Sequence, residues 1–296
     1  GHEAMLTNID GDGNVAVGFE ALKIMEPADG LSYNAALGYQ AGVSVTTGVR
    51  NTLVGGTTGQ GLTTGGNNVA MGYGALYTDD VGSHNVAIGV SALQNQNTAT
   101  AANTYNTAVG SQAGLSVTTG VENTIIGGLS GDALTVGYQN VALGYQALTT
   151  AAGSSANVAI GVAALATANS GATSSATYNT AVGHLAGTAV TTGINNTLIG
   201  ALAGDALTDA DYNVAIGISA LSADTLGSRS VAIGRNALTA QNFTTATDSH
   251  NTAIGYSAGA AVSTGRYNIL IGNDSGAALT TSTSNVAIGY EALSTE

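Results

Sequence analysis

Carboxylates and imidazoles are the side chains of this sequence best suited to chemistry, and their placement argues against any. Asp79, Asp80, Asp132, Asp205, Asp209, Asp211, Asp224, Asp248 and Asp274 fall mostly in turn-like stretches. Glycoside hydrolysis needs two carboxyl groups held at a fixed separation across the scissile bond. Asp132 and Asp205 share one place in two copies of an internal repeat, but the equivalent residues in the other two copies are Gln60 and Ala277. The histidines His2, His84, His184 and His250 lack metal-ligand spacing among themselves. Asp10-Gly-Asp12-Gly-Asn14 begins like a calcium loop but has Val15 where the sixth place needs Gly and Ala21 where the twelfth needs Glu. The single lysine, Lys23, is far from any Gly-rich phosphate loop. No catalytic residue, metal or cofactor is expected, and the expected class is not an enzyme.

Composition narrows the partners. Eighteen acids against five bases give a net charge of −13. That disfavours nucleic acid, whose phosphates recruit Lys and Arg, and equally an anionic membrane surface. Zero Cys removes disulfides and thiolate sites. Neither an apolar run long enough to cross a bilayer nor a charged-then-apolar leader occurs, so no membrane insertion is expected. Charged residues make up 8% while hydrophobic ones make up 44%, the opposite of a disordered composition.

What the chain offers in place of a site is a repeat. A segment reading Asn, small or β-branched, usually Ala, large aliphatic, Gly recurs sixteen times between Asn14 and Asn285, once with Ser230 in place of Asn. The commonest spacing is 17 residues, and every fourth stretches to 20, 21 or 22. A short fixed period over nearly the whole length predicts units that contact mainly their neighbours. With the Asn as position zero, position +3 is always large and aliphatic and position +4 is always Gly. Such runs are too short for helices and rich in β-branched residues, so they read as short strands.

The predicted fold is all-β: a parallel β-solenoid, or β-roll, of about 16 coils with a 17-residue coil and a 72-residue four-coil super-repeat. Residues 1–13 read as an N-terminal entry segment and 14–296 as a single continuous solenoid domain. At ~4.8 Å per strand, sixteen coils would be roughly 75–80 Å long. Position zero is expected to form a side-chain amide ladder, as at Asn85, Asn106, Asn157, Asn213 and Asn285. The glycines Gly89, Gly110, Gly161, Gly217 and Gly289 are expected to turn the corner. A second short strand is expected after it. Because +1 and +3 share a strand face, the aliphatic side is assigned to the core: Ile88, Ile126, Ile160, Ile199, Ile216, Ile254 and Ile271. The other face, with Ala at +2 in twelve of sixteen repeats, is read as a closely approached surface.

The super-repeat adds two expectations. Second coils alone carry a bulky +2 residue (Leu53, Ile125, Leu198, Leu270), whereas third and fourth coils end their next segment in Ala-Leu and first and second coils have Gly there. A bump every fourth coil on an Ala-lined surface is read as a self-docking register, giving a homotrimer. The extra residues of each fourth coil are read as exposed loops at Leu22–Ser32, Gln94–Thr104, Ala166–Thr177 and Thr239–Ser249. Asn97, Asn169 and Phe243 in these loops are candidate receptor contacts. Stacked Thr can also present an ice-binding surface, but the doublets Thr46-Thr47, Thr118-Thr119 and Thr191-Thr192 belong to first coils only.

The phrase Asn-Val-Ala-Ile-Gly, at Asn85–Gly89, Asn157–Gly161, Asn213–Gly217 and Asn285–Gly289, resembles the head repeats of trimeric autotransporter adhesins. That resemblance implies left-handed parallel β-rolls with three chains packed side by side. Tyr105-Asn-Thr-Ala-Val-Gly-Ser-Gln-Ala-Gly114, followed by Thr-Thr-Gly120, is still more similar to repeats of bacteriophage tail fibres. The 17-residue coil is longer than the adhesins' usual one, which favours the tail fibre. The implied function is a structural shaft or receptor-binding segment on a virion or otherwise outside the cell, with a host-surface glycan or protein as receptor. The alternative is an adhesin head on a bacterial surface that binds host matrix or glycans.

Overall fold

A computed structural model describes residues 1–26, 30–98, 100–169, 171 and 173–295. Among these the fold is all-β, without helix, and forms a parallel β-solenoid of about sixteen turns. The chain divides into two compact units. The first comprises Gly1–Tyr145 with Ala172–Ser174; the second comprises Gln146–Gly171 with Ser175–Glu296. Coils that meet only their neighbours give no single shared core, so cohesion is local and an even period need not mark where compact units part.

The first unit stacks eight three-residue strands, from Val15–Val17 to Val141–Leu143, each parallel to the next with equivalent repeat positions paired. The second stacks eight more, from Val158–Ile160 to Val286–Ile288, in the same register. In-register pairing superposes identical positions, so each repeat position becomes a column.

Position zero is buried in nearly every coil and closes it. The Asn213 amide donates to the Gly227 carbonyl of its own coil at 2.9 Å. Its oxygen accepts the main-chain N–H of Ser230 in the next coil at 2.9 Å. Asn106 does the same with Gly120 (2.7 Å) and the N–H of Asn123 (2.9 Å). The ladder is therefore mostly amide to main chain, although Asn68, Asn123 and Asn196 also donate to the amide oxygen one coil back. Asn85 and Asn157 accept a second hydrogen bond from the buried hydroxyls of Thr104 (2.6 Å) and Thr177 (2.7 Å). The half-buried Asn285 donates its N–H to Asn268 Oδ1 at 3.0 Å.

That buried Asn column decides which strand face points inward, and it overturns the expected core. Position +2 shares the face of position zero, so its alanines lie inside with no exposed surface, as at Ala87, Ala159 and Ala215. The +3 aliphatics stand outside. Ile126, Ile199 and Ile254 are 36–37% exposed, and Ile88, Ile160, Ile216 and Ile271 are half-buried. Hydrophobicity alone points to the wrong face because the interior is narrow and takes small side chains from the strand.

Two further corrections follow from that narrow interior. The bulky +2 residues Leu53, Ile125, Leu198 and Leu270 are fully buried and form no surface bump. Each fills space that two glycines leave: a Cβ on Gly187 would lie 2.6 Å from Leu198 Cδ1, and one on Gly204 would lie 2.7 Å from Leu198 Cδ2. Third and fourth coils reverse the arrangement, with Ala on the strand and buried Leu opposite, such as Leu221 and Leu238. The four-coil period is thus a volume code for the interior. The segment after the corner is also no strand. Its sixth and eighth positions take left-handed backbone, as at Ser219 (φ 54°) and the buried Leu221 (φ 55°). It still bonds between coils, with Ser219 N–H to Ala201 O at 3.0 Å and Leu221 N–H to Ala237 O at 3.0 Å.

The corner itself requires glycine for two reasons. Gly89, Gly110, Gly161, Gly217 and Gly289 have φ between 130° and 138°, a region closed to L side chains. In addition, a Cβ on Gly161 would lie 2.4 Å from the carbonyl oxygen of Gly183 in the next coil. Finally, the first residues are more than an entry segment. Gly1 lies over Gly18 as other corner glycines lie over one another, His2 stacks on Phe19 (5.6 Å), and Glu3 and Met5 take the two left-handed positions. Met5 N–H donates to Ala21 O at 3.0 Å. The signal Gly1-x-x-Ala4-Met5 is present in the sequence, but without its Asn anchor it escapes a search by strand.

Candidate functional site

Since no catalytic constellation is apparent from the sequence, the surfaces that the coils build are the candidates. Three features stand out: the outer strand face, the fourth-coil edge and a pair of polar clusters inside the solenoid.

The outer strand face is built by positions +1 and +3. Every +3 residue is aliphatic and every +1 residue is Val, Ile, Ala or Thr, so neither column carries a charge in either unit. Exposure is substantial, 51% at Leu37 and 67% at Ile288. Beside it runs position +5, with exposed aromatic rings at Tyr39 and Tyr73 in the first unit and at Tyr256 and Tyr290 in the second. His2, Phe19 and Tyr39 stack in sequence at 5.6 and 5.4 Å. Eight strands at ~4.8 Å spacing and three residues wide give each unit an apolar face on the order of 400 Å². A typical monomer's largest apolar patch is no bigger than about 300–600 Å².

The fourth-coil loops close by short parallel pairs that sequence reasoning missed: Gly82–Ser83 with Ala102–Asn103, Ser154–Ser155 with Ser175–Ala176, and Gly227–Ser228 with Thr247–Asp248. Two residues per strand give no legible alternation. Asn97 in the first unit and Asn169 in the second are exposed. Phe243 is not: it is only 6% exposed, and its N–H donates to Asp224 Oδ1 at 3.0 Å. A ring among polar loop residues reads as a surface anchor, but here the loop folds it inward. Positions 27–29, 99, 170 and 172 of these loops lie outside the described residues.

In the second unit this edge holds an open cleft of about 500 Å³. Asp209, Asp211, Thr247, Asp248, Arg266 and Tyr267 line it. Asp211 accepts the Ile194 N–H at 2.8 Å, and Asp209 accepts the Thr192 hydroxyl at 2.7 Å. Arg229 pairs with Asp248 at 3.0 Å and lies 4.9 Å over the Tyr212 ring, while His250 stacks on Tyr267 at 5.4 Å. The acids are visible in the sequence as turn residues, but only stacking brings positions so far apart onto one edge.

Nothing in the repeat pattern announces the interior clusters. Asp79 and Asp224 are fully buried, each hydrogen-bonded to a buried Gln one coil on: Gln96 at 2.6 Å and Gln241 at 2.5 Å. Burial pushes the Asp79 carboxyl up to about 6 and also raises Asp224. Asp205 is likewise raised by burial. No group of three or more His, Asp or Glu that could hold a metal occurs among the described residues. Nor is any helix among them long and apolar enough to cross a membrane. The leading Thr of two first-coil doublets bonds the next coil, Thr46 Oγ1 to Thr63 O at 3.3 Å and Thr118 Oγ1 to Thr135 O at 3.2 Å, whereas Thr47, Thr119, Thr191 and Thr192 are exposed.

No family model matches the chain, and neither curated proteins nor solved structures contain a significant match.

Proposed function

We propose that this chain is a structural shaft or receptor-binding segment of a bacteriophage tail fibre, assembled from three parallel copies. The observation that carries the reading is the uncharged aliphatic strand face, left open to solvent in a single chain that bears −13 overall. An apolar patch of this order, about 400 Å² per unit, is within the range of a monomer's largest patch, which is often functional. A second and third copy in the same register are the occupants that suit it, because each offers the same regular columns and places its charges at the edges. Nucleic acid finds no basic groups there, and an anionic membrane would meet acidic flanks. The resemblance of the Asn-Val-Ala-Ile-Gly and Tyr-Asn-Thr-Ala-Val-Gly phrases supplies the fibre context.

The function is mechanical: spacing an anchor from a host-binding tip, with side contacts to a host glycan or protein at the fourth-coil edge, where Asn97, Asn169 and the cleft around Asp211 lie. No catalytic step belongs to this reading. The alternative is the head of a bacterial trimeric adhesin, and the edge cleft is the feature that favours it, since there the coils themselves would bind matrix or glycan. Mass in solution by sedimentation equilibrium tests the assembly. Three times the 28.8 kDa chain mass is expected, and a stable monomer at micromolar concentration would refute it.

A further inference from the structure

Asp79 and Asp224 hold the third-coil place of two super-repeats, and Gln96 and Gln241 the matching place in the fourth coils. All four side chains are completely buried. The intervening super-repeat has Ala151 and Ala168 at these places, also buried, so the scaffold does not need a carboxylate there.

The two clusters are built alike. Asp79 Oδ1 accepts the Gly82 N–H at 2.9 Å, and Oδ2 accepts Gln96 Nε2 at 2.6 Å with Asn85 Nδ2 at 3.5 Å. Gln96 Oε1 then accepts Asn106 Nδ2 at 2.9 Å, and Gln96 Nε2 also reaches Thr104 Oγ1 at 3.3 Å. Asp224 Oδ1 accepts the N–H groups of Gly227 and Phe243, both at 3.0 Å, and Oδ2 accepts Gln241 Nε2 at 2.5 Å. Gln241 accepts Asn251 Nδ2 at 2.8 Å and donates to Ser230 Oγ at 2.8 Å. Each carboxyl thereby ties the Asn columns of consecutive coils across the interior. Space is tight: a Cβ on Gly82 or Gly227 would lie 2.2 or 2.1 Å from the carboxylate.

Neither carboxylate has a counter-charge. Every partner named above is neutral, and no Lys, Arg or His lies within ion-pair distance of either among the described residues. Asp80 beside Asp79, a like charge, acts on it in the same direction as burial, and Asp224 is held by burial against neutral hydrogen-bond donors. Arg229, the nearest cation to Asp224 in sequence, pairs instead with Asp248 on the surface. A buried, unpaired charge is unfavourable, and uptake of a proton relieves it.

We propose that these two Asp–Gln clusters are internal proton-uptake sites that tighten the solenoid as the surroundings acidify. On protonation the charge is lost, and the Gln amide, turned over, offers its oxygen to the new O–H; it then releases Asn106 or Asn251, whose amide keeps the Gly120 or Gly265 carbonyl. The sign is fixed by the raised carboxyl. The folded state binds a proton below about pH 6, the unfolded chain only below about 3.8. Stability contributed by Asp79 is therefore fully present below 3.8 and is lost as pH rises through about 6. Between pH 7 and 4.5 the folding equilibrium should gain roughly tenfold to thirtyfold from Asp79, with Asp224 acting in the same direction.

The test is a carboxyl NMR titration of the full chain labelled with ¹³C-aspartate, alongside thermal melts at pH 7 and 5. The Asp79 carboxyl signal is expected to titrate near 6 and the Asp224 signal above its ordinary range, both to vanish in Asp79→Asn/Asp224→Asn, with a melting temperature that rises on acidification. Should the Asn variants not fold, Asp79→Ala/Gln96→Ala with Asp224→Ala/Gln241→Ala installs the alanine pair the chain already uses elsewhere, and the rise should flatten. All aspartates titrating below pH 5, or an undiminished rise in the variants, would overturn the proposal.

Discussion

Leu198 and Ile199 are neighbours in one strand, nearly equal in size and hydrophobicity, yet they lead opposite lives. Leu198 is fully buried and fills the space of two glycines, whereas Ile199 is 37% exposed on the outer face. The difference shows that apolar character does not say which face of a two-sided strand is inside. The face is set by the polar residue that must be satisfied there: the Asn column needs buried partners, and everything at even spacing from it follows inward.

The largest effect on this comparison should come from the corner that aligns both columns. Gly217→Ala puts a Cβ 2.6 Å from the Gly234 carbonyl at φ 130°, strained and blocked together. A loss of about 3 kcal/mol or more is expected, visible as absence of a cooperative melt. Next comes the pair itself. Leu198→Ala should cost about 2–5 kcal/mol by opening a cavity, while Ile199→Ala should leave the stability of the dissociated chain within about 1 kcal/mol and weaken association instead. Chemical denaturation read beside sedimentation separates the two, and equal losses of stability would erase the distinction between inner and outer columns.

Much of this architecture is legible in the sequence. The Asn-x-Ala-aliphatic-Gly period predicts parallel strands, register and the glycine corner, because one phrase repeated at 17 residues can stack only on itself. The inward face is misassigned when the hydrophobicity of Ile88 and Ile216 is given more weight than the parity of Asn85 and Asn213. The bulky Leu53 reads as a bump because its complement, Gly42 and Gly59, lies on the opposite limb, and a Cβ there would come within 2.6 and 2.9 Å of it. The cleft around Asp211 and Arg266 is hidden for another reason: its residues come from different coils. Phe243 is misplaced for want of any sign that Asp224 waits beneath it.

Cysteine substitution in this cysteine-free chain tests the outward strand face and its burial between copies in one experiment. Ile199→Cys should cross-link between chains on mild oxidation, and Leu198→Cys should stay both uncross-linked and slow to react with thiol reagents. A reactive thiol in Leu198→Cys beside a protected one in Ile199→Cys would place the core on the other face. A freely labelled, uncross-linked thiol in Ile199→Cys would leave the strand face without its second copy.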